Sequence, residues 1–111
     1  MSKVWRKLRA SHAISWWIFV PLSHLEQVKA ALFAAGAGAQ GAYEACAWTV
    51  QGTGQFRPQA GASPYLGTPG QLEQVEEARL EVLVDHDRLV AVLQALVAAH
   101  PYEEPAYDVF A

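Results

Sequence analysis

Apolar positions along the chain fall into two rhythms. The stretch "AISWWIFVP" (13–21) is rich in β-branched and aromatic side chains and stops at Pro21, which predicts a strand. "SHLEQVKAALFAAG" (23–36) then switches to helical spacing, with Leu25, Val28, Ala31, Leu32 and Ala35 on one face. Ser23 and Glu26 have the spacing of a capping box, and Gly36 supplies the stop. "ACAWTVQ" (45–51) reads as a second strand. "VEEARLEVLVD" (75–85) reads as a third, with Ala78, Leu80, Val82 and Val84 on one face. "DRLVAVLQALVAA" (87–99) is a second amphipathic helix. It must end near His100, because Pro101 disfavours helix in the residue before it. "AYDVF" (106–110) is a final strand.

The halves repeat. Shifted by 64 residues, 14–47 lies on 78–111 without a gap, and ten of 34 positions are identical, five of them alanine. Val20 falls on Val84, Leu25 on Leu89, Val28 on Val92, Leu32 on Leu96 and Tyr43 on Tyr107. The pattern predicts an α+β, ferredoxin-like βαββαβ sandwich, in which two helices cover one face of a four-stranded antiparallel sheet. Trp16, Ile18 and Val20 should face the helices. Trp17 and Phe19, with Leu83 beside them, should then form an apolar patch on the other face. A second copy of the chain is the expected cover, so these three residues are the predicted oligomer interface. The alternative cover is the chain's own N-terminal arm, through Val4, Trp5 and Leu8.

Composition adds limits. A chain of 111 residues that is 52% apolar suits one domain with its own core. The expected division is a flexible basic arm over 1–12 and a single domain over 13–111. Four of the eight basic residues lie in the first ten positions, which leaves four basic against eleven acidic side chains, net −7, in the rest. An acidic body argues against nucleic acid as the main partner. The apolar run 13–20 is too short for a membrane span, and no leader-peptide pattern is read. A single cysteine, Cys46, permits no internal disulfide, fits a cytoplasmic location, and reads as a buried free thiol.

Three stretches carry candidate chemistry. "GAGAQG" (36–41) matches a dinucleotide fingerprint in letters only. It follows a helix and opens a strand, the reverse of what phosphate binding at a helix N-terminus needs, so it is expected to be a helix-exit turn. The 64-residue shift lays it over "HPYEEP" (100–105). The first copy turns with small residues, so turn geometry does not require His100, Glu103 or Glu104; Tyr102 has a structural reading, packing under the turn, and is otherwise counted with them as a ligand-binding residue. That stretch is open to three readings: a structural or interface turn, a ligand site or a divalent-metal site through His100, Glu103 and Glu104, or an acid–base pair. No other cofactor is suggested. The third stretch, "GTGQFRPQAGASPYLGTPG" (52–70), holds five glycines and three prolines and is expected to be irregular throughout. A loop this long is usually functional, and it carries Phe56, Arg57, Pro58 and Tyr65 as contact residues.

Together, "FVP" before a helix, "GAGAQGAYEACAWTVQGTGQFRP", "GASPYLGTPG", "VEEARLEVLV" and "HPYEEPAYDVF" resemble the NGG1-interacting-factor-like family. More narrowly, they resemble the domain inserted in its longer bacterial members, of the YqfO type. The resemblance runs from about residue 14 to the end and implies a stand-alone version of that domain. It also implies a fold similar to CutA and to PII signalling proteins, which commonly form trimers, so a trimer is favoured over a dimer. CutA-like proteins carry an H-P-Y-E-type segment, here His100 to Glu103. In longer members the flanking halves hold two metal ions, where hydrolase-like activity has been proposed. The resemblance does not include those halves, so no catalytic residue is carried over. The implied function is a non-enzymatic, oligomeric binding or regulatory module. A metal-tolerance protein and a hydrolase-associated subunit are the alternatives.

Overall fold

The computed structural model describes residues 14–39, 41–102 and 105–110, with only the backbone of Phe110. The N-terminal arm, Glu103 and Glu104 lie outside the described residues. Strand β1 (Ile14–Pro21) leads through a 3₁₀ turn (Leu22–His24) into helix α1 (Leu25–Ala34). Strands β2 (Ala47–Phe56) and β3 (Glu73–Val84) follow. A second 3₁₀ turn (His86–Arg88) opens helix α2 (Leu89–Ala99), and β4 (Ala106–Phe110) ends the fold. The sheet order is β2-β3-β1-β4, with every neighbouring pair antiparallel. This is the ferredoxin-like sandwich that the repeat predicts. The two 3₁₀ turns and the two helix starts each stand 64 residues apart, in register with the repeat.

The core lies between the sheet and the helices. Trp16, Ile18 and Val20 from β1 and Leu80, Val82 and Val84 from β3 meet Val28 and Leu32 of α1 and Val92 and Leu96 of α2. Trp16 stacks on Tyr107 of β4, with ring centroids 5.7 Å apart and planes at 13°. Among the described residues, no helix is long and apolar enough to cross a membrane.

Three expectations change. The Ser23–Glu26 capping box does not form. The 3₁₀ turn occupies that position, Ser23 Oγ lies 2.8 Å from His24 Nδ1, and Glu26 pairs with Lys29 at 3.3 Å. Strand β2 starts at Ala47 rather than 45, because Ala45 takes a positive φ of 56°. It then continues through Gly52 and Gly54 to Phe56, so the irregular stretch begins at Arg57. The β3 ladder holds these glycines in strand geometry, from Ala47↔Val82 to Phe56↔Glu73.

"GAGAQG" is the helix-exit turn expected. The Gly36 N–H donates to the Phe33 carbonyl and the Ala37 N–H to the Leu32 carbonyl, both at 3.0 Å, so Gly36 at φ 110° closes a Schellman motif. The Gly38 N–H then donates to the Leu83 carbonyl at 2.8 Å, tying the turn to the end of β3.

A candidate binding cleft at the end of the sheet

The second helix exit is built differently. His100 leaves the helix at φ −74°, ψ 134°, the extended geometry that a following proline favours, while its N–H still donates to the Leu96 carbonyl. The His100 ring turns back onto β1, where Nε2 lies 2.7 Å from the Phe19 carbonyl oxygen. A carbonyl can only accept, so Nε2 carries the proton. Nδ1 is then the acceptor for the Tyr102 N–H at 3.2 Å. Burial lowers the pKa of this ring, outweighing the Phe19 bond and the nearby Glu77 charge, which raise it. His100 is therefore a neutral, 6% exposed link between α2, β1 and the turn. Both ring nitrogens are engaged, so metal ligation would require breaking one of these bonds. Among the described residues, no group of three or more His, Cys, Asp or Glu side chains is gathered to hold a metal ion.

Tyr102 carries the turn's chemistry outward. Its hydroxyl donates to Glu77 Oε2 at 3.0 Å, and its ring meets Phe56 edge-on at 6.1 Å. Burial and then Glu77 raise the phenol pKa well above its ordinary value, so it stays a proton donor. Glu77 projects from β3 on the sheet face away from the helices. A Cβ on Gly54 would overlap the Glu77 carboxylate, so the bare backbone of β2 gives that carboxylate its place.

Around this pair lies an open cleft of about 350 Å³. Its walls include Phe56, Arg57 and Pro58 at the end of β2, then Pro64, Tyr65 and Leu66, with Glu77, Tyr102 and Ala106 opposite. The connecting segment is pinned. The Gly70 N–H donates to the Pro58 carbonyl at 2.6 Å, and Tyr65 meets His24 edge-on at 5.4 Å. Of the residues singled out from sequence, Phe56, Arg57, Pro58, Tyr65 and Tyr102 come together here, within one chain. His100 stands behind Tyr102 and does not line the cleft. Glu77 was missed. Its alternation on β3 and the glycines at 52 and 54 were visible, but only the strand register joins them.

The far sheet face differs from a bare apolar patch. Trp17 and Phe19 are half-buried, and the Arg79 guanidinium lies 4.2 Å from the centre of the Trp17 ring. Leu83 is 4% exposed and has almost no area left to offer a partner. Among the described residues, the exposed large apolar groups of this face are Trp48 and Val50 on the edge strand β2. Cys46 is half-buried rather than buried.

No family model matches the chain. It is 55% identical over 96 residues to a protein from Mycobacterium leprae named GTP cyclohydrolase 1 type 2 homolog, covering 86% of this chain and 25% of the relative. It is 46% identical over 93 residues to the protein of the same name from Bacillus subtilis, again covering 25% of the relative. The chain spans about a quarter of the length of the curated relatives it matches. Among solved structures, a Bacillus cereus protein related to NIF3 superposes with a TM-score of 0.74 at 44% identity, covering 90% of this chain and 26% of that one. CutA from Xylella fastidiosa superposes with a TM-score of 0.64 at 20% identity, covering 91% and 84%, which shows a shared fold. The chain is thus homologous to one segment, about a quarter in length, of the NIF3-related proteins, and that segment has the ferredoxin-like fold also found in CutA.

Proposed function

We propose that this chain is a non-enzymatic binding module that works as a homo-oligomer, and that the cleft between the end of β2 and Tyr102 is its ligand site. The observation that carries the reading is the cleft itself, a concave site with aromatic walls and a few convergent polar groups. A role in turnover is less well supported by these groups. Tyr102 is held protonated by burial and by Glu77, the opposite of a general acid poised near neutral pH. The exposed Trp48 and Val50 on an edge strand support the oligomer, with a trimer as the favoured count. Native mass spectrometry of untagged protein, from gentle to denaturing conditions, tests both parts. An oligomer that retains a small molecule, and loses it when Tyr65 and Phe56 become alanine, is the expected result. A bare monomer would overturn the proposal.

A second reading follows from the relatives' name. The chain would serve as an accessory domain to a larger cyclohydrolase-like enzyme. Co-purification with a hydrolase whose turnover changes on adding this chain would favour it.

A further inference from the structure

We propose that the cleft recognises a small ring compound bearing a forked N–H cation, of amidinium or protonated aminopyrimidine type, through Glu77 and Tyr102. This rests on reading the cleft as a binding site. Glu77 is half-buried, and one carboxylate oxygen accepts the Tyr102 hydroxyl. The other oxygen lies against the bare backbone of Gly54. Among the described residues, no Lys or Arg side chain is seen paired with the Glu77 carboxylate, whereas Glu26 is paired with Lys29 at 3.3 Å. Arg79 shares its strand and face two residues on, yet its guanidinium is drawn over the Trp17 ring at 4.2 Å and lies 5.7 Å from the Trp48 ring. Arg57 on the cleft wall is exposed, where solvent screens its charge more than that of a half-buried carboxylate.

The polar end of the cleft is therefore negative and rich in acceptors. Tyr102 spends its proton on Glu77, so its oxygen lone pairs stand beside a carboxylate oxygen. Two adjacent acceptors, one of them a carboxylate oxygen, fit two N–H groups of one planar cation, and the bond to the carboxylate is charge-assisted. Phe56, Tyr65 and Tyr102 present aromatic surface to the ring, and aromatic faces attract cations as well. A phosphate or carboxylate at the same place would be repelled by the Glu77 carboxylate.

The test uses three ring compounds of one shape: benzamidinium, benzamide and benzoate. Each is titrated into the full ¹⁵N-labelled chain while the amide signals of Gly54, Phe56 and Tyr102 are followed by NMR. Benzamidinium should bind about tenfold more tightly than benzamide, the scale of a charge-assisted over a neutral hydrogen bond, with benzoate weakest. In Glu77→Gln the gap should close to within about twofold. The ranking in the unmodified protein decides the matter even where that variant does not fold. Equal binding of the three, or preference for benzoate, with shifts still at the cleft, would overturn the cation assignment and leave the binding site standing. Silence of the cleft amides toward all three would overturn both.

Discussion

Replacing His100 by alanine removes one side chain and strands two backbone groups. The Phe19 carbonyl loses a donor at 2.7 Å, and the Tyr102 N–H loses its acceptor at 3.2 Å. Each buried polar group left unsatisfied costs about 1–3 kcal/mol, and water entering the vacated space offsets part of this. The expected loss is about 2–4 kcal/mol, a large share of the 5–15 kcal/mol typical of a domain. A pH signature separates this role from plain packing. The folded-state pKa of His100 is lowered, so below the unfolded value of about 6.5 the unfolded chain takes up a proton that the folded chain refuses. Stability from this group is complete above the unfolded pKa. It is lost as pH falls toward the folded one, at no more than about 1.4 kcal/mol per pH unit. Urea denaturation at several pH values between 7.5 and 5 reads both effects. The unmodified protein should weaken on acidification more steeply than His100→Ala, with His24 and His86 common to the two. A loss under about 1 kcal/mol, with parallel pH profiles, would refute the neutral two-bond role assigned to His100.

Further outcomes follow from individual contacts. Gly38 has φ 74°, and a Cβ there would lie 2.8 Å from the Cys46 carbonyl, whereas Gly41 at φ 57° faces open space. Gly38→Ala should therefore cost about 2 kcal/mol or more and Gly41→Ala about 1, and denaturant midpoints in the reverse order would count against the turn as described. Gly54→Ala should push the Glu77 carboxylate aside and break its bond to Tyr102 for about 1 kcal/mol, seen as a shift of the Tyr102 amide signal; an unchanged signal would contradict the placement of Glu77. Leu32→Ala, at a fully buried site, should cost about 2–5 kcal/mol, while Val97→Ala, 61% exposed, should stay under about 1 in thermal or urea unfolding. Replacing Trp17 and Phe19 by serine should lower the sedimenting mass if this sheet face joins copies of the chain; an unchanged mass would remove the face from the interface.

The fold was legible because its determinants are local and repeated. Helical spacing in 25–35 and 89–99, alternation in 78–84, and the 64-residue register needed no knowledge of distant contacts. The end of β2 was not legible, since Gly52 and Gly54 read as turn residues until β3 lies beside them. The site was legible by halves. Phe56, Tyr65 and Tyr102 stood out as aromatics in a proline- and glycine-rich setting. Glu77 looked like any acidic residue on an alternating strand, because its role depends on a glycine 23 residues before it and a tyrosine 25 residues after it.

The same repeat accounts for His100 in a way the turn alone does not. Phe19 and Leu83 are equivalent positions under the 64-residue shift, and so are Gly36 and His100. In each half, the strand carbonyl accepts a hydrogen bond from the helix-exit turn of the other half. The Leu83 carbonyl takes the backbone N–H of Gly38, and the Phe19 carbonyl takes the ring of His100. In the second turn, Pro101 has no N–H and holds the chain extended, so a side chain supplies the donor. That substitution frees the residue equivalent to Gly38, which is Tyr102. Its N–H bonds to His100, and its hydroxyl reaches out to Glu77. In the first turn the position equivalent to Tyr102 is Gly38, which has no side chain to send into a cleft. The second turn uses His100 to meet the same backbone requirement and projects Tyr102 into the cleft, so a symmetric fold acquires an asymmetric site.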